Sequence, residues 1–260
     1  MAIRRKPTRW FHILSWNTET DLIEHGSWLE GTIYCERCDV SFDGRWMIYL
    51  AMGSNMETWT GLCHPPRLKS VFNAPNCGTR FGGGFWEREN LLRENGGPYS
   101  PWPEVRKAAE AILPFRIEAH ESAAPDWDFG GMLLARLRRD GWRRGHNTTE
   151  AGEDAPVAIG DTWQCRPSGG HPFLTMEFVG HEARRPWPFR FRLDGHRGLI
   201  PETADWVCWD AWGQLVFADR GVLYRYTPEA LAAGNPSGVV DLEGLAPPGR
   251  PETCAERGVP

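Results

Sequence analysis

The sequence has no apolar run long enough to cross a membrane. A membrane-spanning helix needs about 18 apolar residues, and the near-continuous run Trp46–Met52 is much shorter than that. An apolar signal core is also missing, because the basic segment Met1–Arg9 leads straight into the alternating segment Trp10–Trp16. We therefore predict an unexported, cytoplasmic protein that does not associate with membranes.

The motifs that mark many enzymes are missing as well. The histidines show no HxH, HExxH or HxxE spacing, and no Walker lysine follows Gly82–Gly84. Cys35 and Cys38 have the spacing of a zinc knuckle, which Cys63 with His64, or Cys77, would have to complete, but a second close pair of cysteines is absent. We therefore predict no cofactor and no metal site, and interpret Cys35 and Cys38 as ordinary core or surface cysteines.

Charge and cysteine content narrow the class of protein further. The net charge of −5 gives no reason to expect nucleic-acid or membrane-surface binding through overall charge. Seven scattered cysteines in a chain without a signal peptide indicate reduced thiols rather than a disulfide framework. The 14 tryptophans, 29 glycines and 21 prolines favour many short strands joined by many turns.

The segment Ala204–Pro228 shows this pattern most clearly. It contains three short apolar runs, Asp205–Trp209, Gln214–Ala218 and Val222–Tyr226, separated by turn segments that each end in glycine. Valine, aromatic residues and leucine dominate the runs, and such residues favour half-buried strands. We predict a three-stranded antiparallel meander, which is most of one propeller blade.

Similar runs recur along the rest of the chain. Further strands are predicted at Arg9–Trp16, Thr32–Tyr34, Asp39–Phe42, Trp46–Met52, Trp59–Cys63, Leu68–Phe72, Gly82–Trp86, Asn90–Arg93, Phe115–Ala119, Met132–Arg138, Thr162–Cys165, Leu174–Val179 and Phe189–Leu193. Asn17–Gly26 is interpreted as a polar connection, and Trp102–Leu113 is the only sizeable helix predicted. Residues 145–161 are expected to form an exposed loop and residues 243–260 a flexible tail of a single domain, 1–260.

Turn-bounded strands with little helix predict an all-β fold with more than 40% strand. The chain length and the spacing of the Asp-Gly turns favour an irregular β-propeller of about five or six blades, and a β-sandwich is the alternative. We expect the last strands to pair with Trp10–Ser15 and so close the ring. Tryptophans are expected in the wedges between blades, at Trp46, Trp86, Trp142 and Trp212. One buried set is predicted from Trp46, Ile48, Leu50, Leu215, Phe217 and Leu223.

Several segments resemble an uncharacterised family of bacterial hypothetical proteins. Gly31–Gly53 is similar to that family's RCD-[LV]-S-x-DG strand pair, Thr58–Leu68 to its TWT-x4-PP element, and Gly82–Asn95 to its glycine run followed by an LLxN strand. Asp205–Tyr226 is similar to its later DW-x-x-WD-x-x-G motif. The resemblance implies a bacterial origin and an intracellular β fold with a propeller-like rhythm. It says nothing about chemistry, because the family has no assigned activity to carry over.

A basic run surrounds Asp140-Gly141 and provides the candidate binding residues. Arg138, Arg139 and Arg143, with Trp142 as a stacking surface, are the predicted partner-binding residues, and an acidic protein is the expected partner. A solvated strand face is the alternative interpretation, and RNA is the less favoured partner.

Two functional hypotheses remain from the sequence. The first is a non-catalytic intracellular scaffold or regulatory subunit that binds a protein through the rim or face of the propeller. The second is a hydrolase or lyase with a site in the central channel. Loops that a propeller places on its faces carry His171, His181 and His196, which with Asp194 and Asp210 could form a metal or acid–base site. The sequence alone favours solvated histidines and the first hypothesis.

Overall fold

The computed structural model describes residues 2–6, 9–76, 78–96, 102–120, 129–145, 157–167, 170–180 and 189–249. Strands make up 44% of the chain, helix is scarce, and four sheets are arranged in a ring that resembles a β-propeller. The predicted strand content and fold class are therefore confirmed. The predicted number of blades is wrong, because the ring has four sheets rather than five or six.

The first sheet is larger than an ordinary blade. Its seven antiparallel strands are β1 (Ala2–Lys6), β2 (Trp10–Trp16), β3 (Ile23–Ile33), β4 (Asp39–Val40), β5 (Met47–Gly53), β6 (Thr58–Cys63) and β7 (Ser70–Asn76). The apolar run of β5 lies inside the sheet with its first five residues buried, as predicted. The polar connection predicted at Asn17–Gly26 is shorter in the structure, because β3 already begins at Ile23. Because this one sheet uses about 75 residues, dividing the chain length by an ordinary blade of about 40–50 residues overestimates the number of blades.

The second sheet contains a parallel pair of strands. It consists of β8 (Gly84–Arg88), β9 (Leu91–Glu94) and β10 (Arg116–Ala119), and β10 runs parallel to β9. Parallel neighbours need a crossover connection, and the helix α1 (Trp102–Glu110) lies within it. The predicted helix is confirmed, although its regular part ends three residues before Leu113.

Two further helices were not predicted. Helix α2 (Phe129–Arg139) replaces the strand predicted at Met132–Arg138, and its Leu133, Leu134 and Leu137 are buried in the core. The short helix α3 (Pro228–Ala233) begins after Thr227, whose hydroxyl accepts a hydrogen bond from the backbone of Ala230 at 3.2 Å. No helix in the described part of the chain is long and apolar enough to cross a membrane.

The third and fourth sheets are antiparallel and four-stranded. The third contains β11 (Arg143–Arg144), β12 (Thr162–Cys165), β13 (Leu174–Phe178) and β14 (Phe189–Leu193). The fourth contains β15 (Ala204–Trp209), β16 (Leu215–Asp219), β17 (Val222–Tyr226) and β18 (Gly238–Asp241). The predicted meander is therefore confirmed nearly to the residue.

The predicted loop and tail lie largely outside the described residues. Of the predicted loop, residues 157–161 lack helix and strand and end at the buried Asp161. Residues 243–249 of the predicted tail also lack regular structure.

The first and last sheets meet through side chains rather than through a strand ladder. Leu14 of β2 packs with Ala218 and Leu223 of the fourth sheet in one buried cluster. In the described chain, β2 pairs only with β1 and β3. The predicted pairing of the last strands with Trp10–Ser15 is therefore wrong.

The buried residues form several clusters instead of one predicted set. Ile48, Leu215 and Leu223 are each buried, yet they belong to three separate clusters. Trp46 is only partly buried and precedes its strand. Trp212 is 68% exposed, so it fills no wedge between sheets.

Candidate functional site

A cavity of about 580 Å³ lies where three of the four sheets meet helix α2. Its apolar wall includes Leu133 and Leu137 of α2, Phe189 and Phe191 of β14, and Val207 of β15. Three tryptophans line it as well: Trp16, Trp142 and Trp206. A mostly apolar cavity of this size with a few polar groups is typical of sites for small organic ligands. We call it the inter-sheet cavity.

Four aspartates and one arginine supply the charge among the described lining residues of the inter-sheet cavity. They are Asp39, Asp140, Asp205, Asp210 and Arg136. The wall is therefore negative overall, although some of these carboxylates are held by neighbouring arginines. A ligand with positive charge suits such a wall better than an anion does.

Asp39 and Arg139 fix one end of the cavity. Both Oδ atoms of the buried Asp39 accept hydrogen bonds from Arg139 of α2, and Oδ2 also accepts from the backbone N–H of Trp86 at 2.8 Å. Arg139 further donates to Asp140, with Nε 2.7 Å from Oδ1. Burial lowers the pKa of Arg139, but the hydrogen bonds to Asp140 and Asp39 outweigh it and keep the pKa above its ordinary value. This pair therefore joins β4, β8 and α2 at the cavity wall.

Arg136 is the guanidinium that lines the cavity itself. It lies one turn before Arg139 on α2 and donates from Nη1 to the carbonyl oxygen of Glu36 at 3.2 Å. Its Nε is 3.8 Å from Asp39 Oδ1 and makes no hydrogen bond in the described structure, although that atom is buried. Arg136 is therefore held near Asp39, but its buried Nε donor lacks a hydrogen-bond acceptor in the described structure.

Another part of the cavity wall is organised by the turn between β15 and β16. Asp210 Oδ1 accepts hydrogen bonds from the backbone N–H groups of Trp212, at 2.9 Å, and Gln214, at 2.8 Å. Gln214 then links this turn to the first sheet, because its Nε2 donates to the carbonyl of Thr18 at 3.3 Å and its Oε1 accepts from Arg225 at 2.9 Å. Asp210 is thus held in place by its own turn.

Two of the three cysteines of the cavity wall, Cys38 and Cys208, are poor nucleophiles at neutral pH. Cys35, Cys38 and Cys208 all line it. Burial raises the pKa of Cys208 to about 12, and burial also raises the pKa of the Cys38 thiol well above its usual range. Thiols in such surroundings stay protonated. Within the described residues, no group of three or more His, Cys, Asp or Glu side chains is arranged to hold a metal ion.

The predicted partner-binding residues do not form one exposed surface. Arg138 and Arg143 are exposed, on the last turn of α2 and on β11. Trp142, in contrast, is only 7% exposed and packs in the core, and the side chain of Arg139 is largely buried against Asp39. Helical geometry explains the division, since neighbouring residues of α2 point in different directions. The role of these residues in binding a partner stays a prediction.

The predicted acid–base residues are dispersed. Asp210 lines the inter-sheet cavity, whereas Asp194 is exposed in the turn after β14, near His196. His171 contacts the ring of Trp209 edge-on, with the ring centroids 5.2 Å apart, and is not among the described lining residues. His181 lies outside the described residues. The described members of the set therefore do not converge on one site.

The glycine run Gly82–Gly84 serves close packing of the backbone. Gly83 has φ +73°, and a Cβ there would overlap the carbonyl oxygen of Arg37. Its N–H donates to Thr60 Oγ1 at 2.8 Å, and the N–H of Gly82 donates to the carbonyl of Asn95 at 2.6 Å. Because these donors are already bonded within the protein, the run is not a phosphate cradle.

Sequence reasoning missed a stacked aromatic group on the first sheet. The buried ring of His12 lies 4.3 Å from the ring of Trp28 and parallel to it, and His12 Nε2 is 3.0 Å from His25 Nδ1. His12 Nδ1 is 3.2 Å from the carbonyl oxygen of Ser27 and donates to it, so in the neutral ring Nε2 accepts from His25 Nδ1. Only the register of β2 with β3 brings the two histidines together.

Comparison with known proteins gives no relative. No family model, no curated protein and no solved structure matches the chain.

Proposed function

We propose that the protein is a non-catalytic binding protein that holds a small organic ligand in the inter-sheet cavity. The observation that carries this proposal is the cavity itself, which is walled by three sheets and α2 and is mainly apolar. A ligand bound there would contact elements from distant parts of the chain, as ligands of ring-shaped β folds commonly do.

The chemistry of the wall selects an apolar body that carries a positive charge. Trp16, Trp142 and Trp206 offer aromatic surface, and aromatic faces attract cations as well as apolar groups. The surplus of aspartates over arginine favours an ammonium or amidinium group over a carboxylate or phosphate. The preferred ligand class is therefore an aromatic or aliphatic amine.

Binding is favoured over catalysis by the state of the reactive groups. The thiols of Cys38 and Cys208 are kept protonated by burial, and the described lining residues include no histidine or serine. The aspartates whose hydrogen bonds are defined, such as Asp39 and Asp210, are held by arginine or by a turn. Carboxylates fixed in this way suit recognition better than proton transfer.

Calorimetric titration with a matched pair of small molecules tests the proposal. We expect 2-phenylethylamine to bind and 3-phenylpropionate, which has a similar body and the opposite charge, to bind at least tenfold more weakly. Asp205→Asn should weaken binding of the amine, while Trp212→Ala, which removes an exposed indole outside the cavity, should leave it unchanged. Absence of binding by both molecules, or equal binding by both, contradicts the proposed ligand class.

A second candidate is a scaffold for an acidic protein. It is favoured by Arg138 and Arg143, whose exposed side chains flank the turn at Asp140-Gly141. Exposed guanidinium groups pair readily with carboxylates. Asp140 of this turn lines the inter-sheet cavity, but Arg138 and Arg143 are not among its described lining residues, so variants of these two arginines test the scaffold separately.

A further inference from the structure

We propose that Cys35 and Cys38 form a reversible disulfide by exchange with a low-molecular-weight disulfide. This site goes beyond the ligand-binding function and does not depend on it. The proposal rests on the backbone turn between the two residues, on their unequal exposure and on their position at the cavity wall.

The backbone between the two cysteines already has the shape that such a bridge needs. Cys35–Arg37 forms a single 3₁₀ turn, and the N–H of Cys38 donates to the carbonyl oxygen of Cys35 at 3.2 Å. A turn closed by this hydrogen bond brings its first and fourth Cα atoms within about 7 Å. Disulfides span Cα separations of about 4.4–6.8 Å. The turn therefore places the two cysteines within or close to bridging range without a change of fold.

The two sulfur atoms differ in access, which suits a stepwise exchange. Cys35 is partly exposed, while Cys38 is 4% exposed and directs its Sγ to the carbonyl oxygen of Tyr34 at 3.1 Å. An incoming disulfide can therefore reach Cys35 first, and the buried Cys38 is left to complete the bridge. Paired cysteines with one accessible and one buried member are typical of dithiol sites.

The reaction balances with one small disulfide as the oxidant. The Cys35 thiolate attacks one sulfur of the small disulfide, which releases a thiolate and leaves a mixed disulfide on Cys35. Cys38 then loses its proton to solvent, and its thiolate attacks Cys35 Sγ and displaces the second small thiolate. Two protein thiols are oxidised, and the small disulfide is reduced to two thiols.

The bridge should be readily reversible. A disulfide that closes a very short loop gains little from restricting the unfolded chain, because that gain grows with loop length. Formation also removes the hydrogen bond from Cys38 to Tyr34. Burial, and then the neighbouring Cys35, raises the pKa of the Cys38 thiol. A stable thiolate would favour the reduced form and so oppose oxidation. The Cys38 thiol stays protonated and gives the reduced form no such stabilisation.

Other cysteines provide internal controls. Cys63 lies on β6 and packs in the same buried cluster as Cys35 and Cys38, but no turn links it to them. Because Arg37 separates the two cysteines in sequence, trypsin cleaves between them. The peptides of Cys35 and Cys38 stay together after digestion only when the bridge is present.

The test incubates the full-length protein in glutathione buffers that range from reduced to oxidised, blocks remaining thiols with N-ethylmaleimide, and analyses tryptic peptides by mass. We expect the peptide 10–37 joined to the peptide 38–45 in oxidised buffer, at their summed mass less two hydrogen atoms, and separate peptides in reduced buffer. Cys63→Ser should keep the linked product and Cys35→Ser should lose it. In Cys38→Ala, glutathione should accumulate on Cys35, because the second thiol is missing.

Three results overturn the proposal. They are no linked product at any buffer ratio, a stable glutathione adduct on Cys35 of the unaltered protein, and a bridge between Cys38 and Cys63 instead. The unaltered protein alone can give each of them, so a variant that fails to fold does not leave the question open.

Discussion

Arg225 and Asp21 join the last sheet to the first across 204 residues of chain. Arg225 Nε donates to Asp21 Oδ1 at 3.0 Å, and Nη2 donates to Oδ2 at 2.5 Å. A bidentate pair of this kind fixes both distance and orientation. It lies beside Gln214, which connects the same two sheets.

Replacing Asp21 by asparagine should destabilise the fold by about 1 kcal/mol at neutral pH, because a charge-assisted pair is lost at a partly exposed position. The hydrogen bond from Arg225 lowers the pKa of Asp21, although burial opposes it. The stabilisation is therefore fully present above the ordinary aspartate pKa of about 4 and is lost as pH falls through the lower pKa of the folded state. Urea unfolding at pH 7 and pH 2.5 measures this, with the exposed Asp194→Asn as control. If Asp21→Asn lowers the free energy of unfolding by the same amount at both pH values, the Asp21 carboxylate is not the source of the stabilisation.

Arg139 should be essential for stability, whereas Arg138 should not. Arg139→Ala leaves the buried Asp39 without its main partner, and breaking such pairs costs about 3–5 kcal/mol. Arg138→Ala on the exposed side of α2 should change stability by less than about 0.5 kcal/mol. Chemical denaturation measures the free energy of unfolding of both variants. Similar losses in the two would contradict a buried, structural Arg139 beside an exposed Arg138.

Protonation of His12 should destabilise the protein. Burial lowers the pKa of His12, the carbonyl of Ser27 opposes this, and His25 lowers it further. The folded state therefore binds this proton less readily than the unfolded state, and stability falls as pH drops below the ordinary histidine pKa of about 6.5. His12→Phe keeps a ring beside Trp28 and should flatten the pH dependence between about pH 7 and 5. Melting temperatures across this range test it, and His196→Asn, a change at a turn, should keep the slope of the unaltered protein.

Leu215→Ala should cost about 2–5 kcal/mol, because Leu215 is fully buried in the largest core cluster. Equilibrium unfolding in guanidinium chloride gives the loss directly. A loss below about 0.5 kcal/mol would show that the inward face of β16 is misassigned.

The scaffold proposal predicts binding through Arg138 and Arg143. The double variant Arg138→Glu, Arg143→Glu should keep its melting temperature and lose retention on immobilised polyglutamate, and retention of the unaltered protein should fall as salt rises. The double variant Arg67→Glu, Arg197→Glu changes two exposed arginines, in the turn after β6 and in the loop before β15, and is the charge-matched control. Equal loss in the control attributes retention to overall charge and not to this surface.

The sequence predicts an element correctly where its turn signals and its strand signals agree. The predicted bounds of β15–β17 agree with the structure nearly to the residue, because glycine-containing turns separate runs of valine and aromatic residues. The sequence predicts a strand where helix α2 forms, because Gly130 and Gly131 weaken the helical signal, although Leu133, Leu134 and Leu137 have helical spacing. Tertiary packing against β8 and the third sheet outweighs that weak propensity.

The candidate site was predictable only in part. The sequence suggests Asp210 only as one member of a possible acid–base site, and Asp39, Arg136 and Asp140 meet at the inter-sheet cavity through contacts across about 100 residues. No local pattern encodes such a meeting. The basic run is not a single surface, because some of its arginines have buried carboxylate partners. A sequence does not distinguish such arginines from solvated ones.

The first and last sheets of the ring are held together by side-chain contacts and not by a strand ladder. Every other pair of consecutive sheets is joined by the chain, whereas this junction depends on the Asp21–Arg225 pair, the Gln214 contacts and the small cluster around Leu14 and Leu223. The ring can therefore part at this junction while every strand ladder stays intact. Amide hydrogens within each sheet would remain protected during such an opening, and the side chains of the junction would meet solvent first.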